Sequence, residues 1–395
     1  MFSTPWIIHY LDAHAHATGE DLFDQPGLRN LYLYAAHVEL PGGNDPFDFG
    51  DVFEGPLTRQ KQGSEYERTH PGGHLHSNYN LIYRLAARFR SPEAQGVAEY
   101  LRSLGNVNAE DFWTIAWRDP KLAAQPIEKL QPWHYFPDHE VVFWRSGWGA
   151  RDTAFAFKCG PPEGHHTAAL LRRFPDWHLS SGHAHPDANS FIVFAGGRYV
   201  TGDSGYAGVP LTIHHNTVLV DGHGQAAEGA GHDAFEGMSY DQMNGIRIAE
   251  TKLTAATAYV RGEAAAAYSE SLGLVRFTRE FRFQDGKFTV HDSLQANPPR
   301  VFTEVFHADG TIRKAGEDAW IFDSYGKPAE LSIKSPKGTM SSVAANDVTA
   351  PGAPGSVDKG ERQIRGMRLS VTSPEVSRTE FDFELAPNPA KSTHK

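Results

Sequence analysis

Across 395 residues there is a single cysteine, Cys159. That excludes an internal disulfide framework and any thiolate zinc cluster. No apolar run approaches the roughly 18 residues that a membrane-spanning helix needs, so no membrane span is expected. Positive charge is also short: 37 Lys and Arg stand against 48 Asp and Glu, a formal charge of −11. A nucleic-acid partner normally demands a basic face, so none is expected. The opening stretch, MFSTPWIIHYLDAHAHATGED, lacks the basic and then apolar regions of a signal peptide. The chain therefore reads as cytoplasmic, or as periplasmic or secreted if its start is truncated. Apolar residues at 40%, with 38 Gly, are enough for a large core, and the length suggests two or three domains. Two residue classes are abundant: 21 His, and an aromatic set of 8 Trp, 14 Tyr and 24 Phe.

The periodicity divides the chain. Residues 1–118 read as helices. Thr4-Pro5 opens one with Ile7, Tyr10, Leu11 and His14 on a face, and Asp24-Gln25-Pro26 opens a second. Ser77 precedes an amphipathic stripe of Leu81, Ile82, Leu85 and Phe89, Ser91-Pro92 starts another helix, and Asn108 with Asp111 resembles a capping box. Residues 119–133, rich in proline, are expected to be a linker. From 134 to 395 the period becomes alternating, with strands expected at 139–145, 152–158, 190–194, 216–220, 274–283, 287–292, 301–307 and 379–385. Residues 335–363 read as an exposed loop and the last ten as frayed. Short turns with almost no helix between them imply antiparallel sheets stacked as a sandwich. The fold class expected is α+β and multidomain: a helical domain, then a large antiparallel β-sandwich.

The densest chemical text is residues 177–229. His183 and His185, two apart, project from one face of an extended chain. A hairpin across Ala195-Gly196-Gly197, with Phe194 opposite Arg198, brings Asp203 opposite Asn189 and so back toward His185. His214 or His215 stands just before the next strand and enters the same place; spacing alone leaves the choice open. Two imidazoles and a carboxylate make a divalent-metal site, with zinc the default. A cupin also uses H-x-H, but its following Glu is replaced here by Ala188, Asn189 or Ser190, and its Pro-x-Gly feature is missing.

Three elements in order, SGHAHPDANSF, GDSGY and HHNTVLVDGHGQAAEG, resemble the heparinase II/III-like polysaccharide lyases. HSNYNLIYRLAARFR and DFWTIAWRDP are similar to the related dermatan-sulfate epimerases, and the GHGQAAEG tail is most similar to oligoalginate lyases. The likeness covers roughly residues 75–310. It implies an (α/α) toroid followed by antiparallel sheets, with the active site in the cleft between them, and acidic poly- or oligosaccharides as substrates. Carried over residue by residue, it implies His185, Asp203 and His215 as ligands of a mainly structural zinc, and His183 as the histidine facing substrate. The family's catalytic Tyr and an upstream His lie ahead of the matched region, and Pro5–His16 corresponds to the helix after that Tyr. The chain is thus expected to carry the C-terminal part of the toroid, with Tyr10 or Tyr79 as in-chain tyrosines.

Such residues suit β-elimination at a uronate. The C5 proton is weakly acidic beside a charged carboxylate, so the site must neutralise that carboxylate, supply a base, and protonate the departing O4. His183 and Tyr79 are the expected catalytic groups and Asn78 the expected substrate contact. Arg84, Arg88, Arg172 and Arg173 are candidates for holding anionic groups. The function expected is cleavage of alginate-type oligosaccharides. The alternatives are a glycosaminoglycan lyase, a uronate C5-epimerase, or a non-catalytic carbohydrate-binding remnant. The sequence leaves a homo-oligomer open.

Overall fold

The computed structural model describes residues 4–25, 27–43, 46–47, 49–50, 79–107, 109–177, 184–202, 211–228, 235–308, 310–324, 327–345 and 366–387. A helical body comes first: α1 (Thr4–Thr18), α2 (Leu31–Val38), α3 (Leu81–Phe89), α4 (Pro92–Ser103) and α5 (Phe112–Trp117). Leu81, Ile82, Leu85, Val97 and Leu101 are buried together, as the helical spacing requires. Ser91 caps α4 by accepting from the Ala94 amide, with Pro92 in the first turn. Asp111 caps α5, accepting from the amides of Trp113 and Thr114, so it fills the role expected of Asn108, which lies outside the described residues. α2 begins at Leu31, after a turn at residues 27–30, later than the Pro26 signal suggested. α1 is also turned by one residue from expectation. Ile8 and Leu11 are buried, whereas Ile7 and Tyr10 are exposed, because the inward stripe runs i, i+3 from Ile8.

Three antiparallel sheets follow. The first contains β1 (Trp133–Phe136), β2 (Val141–Arg145), β3 (Ala154–Lys158), β4 (Ser190–Ala195) and β5 (Arg198–Thr201), in that order. Its strands VVFWR, AFAFK and SFIVFA are apolar on both faces because both faces are covered. Trp144, Phe155, Phe157 and Phe191 point into the main core, while Val141, Phe143, Ile192 and Phe194 meet Val38 at the end of α2 and Leu40 and Phe47 beyond it. The β4–β5 turn is the two-residue Gly196-Gly197, both at positive φ, so Ala195 pairs with Arg198 and Phe194 with Tyr199. The expected Phe194–Arg198 register is therefore one residue off, and an irregularity then places Val193 opposite Thr201.

The second sheet has eight strands. β6 (Val218–Val220) belongs elsewhere, and β7 (Arg247–Leu253), β8 (Ala258–Glu263), β9 (Leu274–Gln284) and β10 (Lys287–Arg300) form its first half. β11 (Phe302–Ala308) leaves it, and β12 (Thr311–Lys314), β13 (Ala319–Ser324) and β14 (Lys327–Lys334) return. β15 (Met340–Ala345), β16 (Met367–Thr372) and β17 (Val376–Ala386) complete the chain. The eight-stranded order is β12-β13-β14-β17-β10-β9-β8-β7, and the third sheet is β15-β16-β11-β6. β15 lies inside the segment expected to be loop. Its mostly exposed Ser, Ala and Met residues lack an apolar alternation, and pairing with β16 makes it a strand. β9, β10 and β17 alternate buried and exposed residues, with Phe277, Phe281, Phe283, Phe288, Phe381 and Phe383 inward. Rings of Phe155 and Phe191 each lie 4.9 Å from that of Phe281 across the sheets. Such pairs contribute about 0.5–1.5 kcal/mol each beyond area burial.

The sheets are joined by a buried ion cluster. Arg279 of β9 sits directly opposite Asp292 of β10, and both are fully buried. Its Nε and Nη2 donate to Asp292, and Nη2 also reaches Glu304 of β11 at 2.8 Å. Nη1 donates to the carbonyls of Asn189 (2.7 Å) and Asn216 (2.6 Å). Burial first, then the adjacent Asp292, pushes Glu304 well above the usual carboxylate range, which favours its protonated form and brings the cluster toward charge balance.

A second buried guanidinium joins the helices to the sheet. Arg145 donates to the carbonyls of Ala36, His37 and Glu39 at the C-terminal end of α2, where cations are favoured. Beside it, buried His37 stacks on His134 and packs on Trp148 at 5.8 and 5.5 Å, and its ring nitrogens have no hydrogen-bond partner among the described residues. Burial, then Arg145 and His134, holds its pKa well below the usual histidine value.

Arg279→Met should lower the unfolding free energy by about 3–5 kcal/mol in urea denaturation, because it strands buried acceptors and a carboxylate. His37 is neutral when folded and titrates near about pH 6.5 when unfolded. Its contribution is therefore complete above that pH and is lost as pH falls, at about 1.4 kcal/mol per pH unit. His37→Phe should flatten the loss of stability between about pH 7 and about pH 5.5 by one proton's worth; an unchanged slope would show that His37 is not its source.

Candidate functional site

Two segments carry the histidines. Residues 184–190 run into β4, and a tight turn is set there by the Asp187 amide on the His185 carbonyl and the Ser190 amide on the Asp187 carbonyl. Lys158 pairs with the buried Asp187 carboxylate at 2.7 Å. Asn189 adopts φ 60°, a left-handed conformation that Asn tolerates better than most residues. Its side chain occupies the space above Gly262, where a Cβ would collide with it. Residues 211–217 make a 3-10 turn over Thr212–His214 before His215 returns to extended backbone.

The fold brings His185 and His215 together. Both are buried, and their rings stand 5.1 Å apart at 51°. Two imidazoles on one tetrahedral zinc, with Zn–N near 2.0–2.1 Å, place their ring centres about 5 Å apart, so the spacing of this pair allows a shared ion. His214 is turned differently: its Nδ1 accepts from the Leu211 amide. Burial, then neighbouring His215, His307 and His185, lowers its pKa well below the ordinary value, so the neutral ring is favoured. Among the described residues no group of three His, Cys, Asp or Glu side chains could hold a metal. Asp203 and His183 lie outside the described residues, as does Asn78.

The GHGQAAEG tail locks both segments. The Gln225 amide receives the Ala188 amide hydrogen at 2.8 Å and donates to the Ala188 carbonyl at 2.9 Å, copying a strand pairing. Glu228 accepts from the amides of Thr212 (2.7 Å) and Gly224 (2.6 Å). Gly224 is required, since a Cβ would meet the Glu228 carboxylate and the Thr212 hydroxyl. Asn216 is a second hub. Its Oδ1 accepts from the Thr201 hydroxyl and the His307 amide, and its Nδ2 donates to the carbonyls of Phe191 and Gly202.

Tyr79 lies at the start of α3, 4% exposed, and its hydroxyl donates to the buried Glu39 carboxylate at 2.7 Å. Asn106 donates to the other oxygen of Glu39. Of the candidate arginines, Arg84 is engaged with Asp12, Arg88 with Asp21, and Arg172 lies over the Tyr240 ring at 3.9 Å. Sequence reasoning quoted Gln225 and Glu228 only as part of a motif, and it missed Arg279 altogether. The signal was present: Arg279 stands in phase with Phe277, Phe281 and Phe283, an inward position where a charge demands buried partners.

The family model described as heparinase II/III-like, C-terminal matches residues 129–365, which contain both histidine segments and all of this locking shell. The chain belongs to the heparinase II/III-like family. Its fold is similar to that of the heparan sulfate lyase HepC from Pedobacter heparinus (TM-score 0.58, 14% identity), over 92% of this chain and 47% of that one. Two heparinase III structures are similar too. One has a TM-score of 0.57 and 16% identity over 92% of this chain and 46% of that one. The other has 0.56 and 13% over 93% and 49%. The chain thus spans about half the length of the solved structures it matches. No curated protein sequence matches it.

If His185 and His215 share an ion, His185→Ala, His215→Ala and Asp203→Ala should each lose bound metal and lower the melting temperature. Inductively coupled plasma mass spectrometry after dialysis reads the metal directly, and wild-type metal content in His185→Ala removes the assignment.

Proposed function

We propose that this protein is a polysaccharide lyase that cleaves uronic-acid-containing chains by β-elimination. The observation that carries the reading is the His185–His215 pair, held by Gln225, Glu228 and Arg279 within the region that matches the family. In this proposal His185, Asp203 and His215 bind a divalent metal, most simply zinc. When bound, the ion supplies a crosslink between the two histidine segments rather than chemistry on the sugar.

His183, two residues before His185, faces the substrate in this reading. Elimination removes the C5 proton, forms the C4–C5 double bond and breaks the C4–O4 bond, with a proton delivered to the leaving oxygen. His183 holds one of these proton roles, and such a group is typically worth about 100- to 10,000-fold in rate. Asn78 hydrogen-bonds the uronate carboxylate and helps stabilise the enolate-like charge. Tyr79 is the in-chain candidate for the second proton role, and Glu39 fixes its hydroxyl.

For substrate, the GHGQAAEG tail favours alginate-type oligosaccharides, while the name of the heparan sulfate lyase among the similar structures favours a glycosaminoglycan. A C5-epimerase would share the first proton abstraction and then return the proton.

Ultraviolet absorbance during incubation with alginate, heparan, dermatan and hyaluronan oligosaccharides tests this, because the new double bond is conjugated to the carboxylate. A rise with one polymer is expected, and His183→Ala should cut its rate about 100-fold or more while leaving the melting temperature nearly unchanged. A flat trace with every polymer overturns the lyase reading and leaves carbohydrate binding without turnover.

A further inference from the structure

Away from the histidines, the helical body carries a cleft of about 310 Å³ between the C-terminal half of α4 and α5. It is lined by Arg102, Ala109, Thr114, Ile115, Arg118 and Pro120. That volume is at the small end of ligand sites, which run from about 300 to 1,000 Å³, and suits a single sugar ring.

The charge arrangement is uneven. Arg102 and Arg118 share one carboxylate: Nε and Nη2 of Arg102 donate to one oxygen of Glu99, and Nε of Arg118 donates to the other at 2.9 Å. Burial raises the Glu99 pKa, but the hydrogen bonds from both arginines outweigh it and hold the carboxyl below the usual range. Two guanidiniums against one ionised carboxylate leave a positive charge, on a protein whose formal charge is −11. Both side chains are more than 40% exposed. The Glu99 link sets the two guanidiniums against each other without covering them.

The opposite wall is apolar. Ile115, 68% exposed, lies there with Ala109 and Pro120. Thr114, at the base, is 97% buried, and its hydroxyl has no hydrogen-bond partner among the described residues. An inorganic anion would use only the arginines, and an apolar ligand only Ile115 and its apolar neighbours. An acidic sugar has a carboxylate for the first and a C–H face for the second.

We propose that this cleft binds a single uronate residue of an acidic saccharide, with its carboxylate on the guanidinium N–H groups of Arg102 and Arg118 and its ring against Ile115. The choice of a sugar acid rests on the acidic-polysaccharide reading above, but the site is remote in sequence from the histidine segments and needs no turnover.

Saturation-transfer NMR with glucuronate, glucose and inorganic sulfate as probes tests it on the full chain. Glucuronate should bind, glucose roughly tenfold more weakly, and sulfate should not displace glucuronate at equal concentration. Arg118→Gln, which leaves Glu99 its Arg102 partner, should weaken glucuronate roughly tenfold. Ile115→Glu, at an exposed position, should weaken it at least as much. Equal binding of glucose, full displacement by sulfate, an unaltered glucuronate signal in both cleft variants, or no signal at all would overturn the proposal. Glucuronate binding with a flat lyase trace sinks the lyase reading alone, and lyase activity without glucuronate binding sinks this site alone.

Discussion

The guanidinium of Arg279 is the constraint on which the architecture turns. It has five N–H donors, and every heavy atom of its fork reaches an acceptor: Asp292, Glu304, and the carbonyls of Asn189 and Asn216. Those acceptors belong to different parts of the molecule. Asp292 lies on the eight-stranded sheet, Glu304 on the four-stranded sheet, Asn189 at the entrance to the five-stranded sheet, and Asn216 beside His215. A buried charge is costly unless its hydrogen bonds are complete, so the three sheets and the two histidine segments are held to one relative arrangement. Displacing any one of them leaves a charge or a carbonyl without a partner in a place water does not reach.

The histidine pair inherits its geometry from that arrangement. Side chains that copy backbone pairing do the local work: Gln225 doubles on Ala188, Glu228 gathers the amides of Thr212 and Gly224, and Asn216 ties Thr201 to His307. Each replaces a missing strand neighbour in a loop that would otherwise bury unsatisfied amides. The helical side is fastened by the same logic. Arg145 collects the last carbonyls of α2, and Glu39 accepts from Tyr79 and Asn106, which fixes the start of α3 against the sheet. Polar groups buried at junctions set the alignment, while the aromatic core supplies most of the cohesion.

Much of this could be read in advance. The strands of β2, β3, β4, β9 and β10 were legible because apolar residues repeat every second position or run continuously where both faces are covered. The cap at Ser91 was legible from local chemistry, whereas that of α5 falls on Asp111 and not on the expected Asn108. β15 was not, because MSSVAA has no buried face and exists as a strand only through its pairing with β16. The rotation of α1 was missed because Ile7, Ile8, Tyr10 and Leu11 offer two overlapping stripes, and only the neighbours of Ile8 and Leu11 decide between them. The hairpin register turned on whether Ala195 belongs to the turn or the strand, which Gly196 and Gly197 at positive φ resolve.

For the site the division follows the same line. Residue types and spacing determined by themselves that the chain is a helical body followed by antiparallel sheets, and that its histidines gather around residues 183–215. Arg279, Asp292 and Glu304 went unread, although each is in phase with inward aromatic or aliphatic residues. What spacing left open and the tertiary structure decided is which of two adjacent histidines meets His185, and that three charges in three strands are one cluster. The physical reason is range. Periodicity and caps act over a few residues, whereas His185 and His215, or Arg279 and Glu304, meet only after sheets far apart in sequence have packed, and packing depends on every side chain between them.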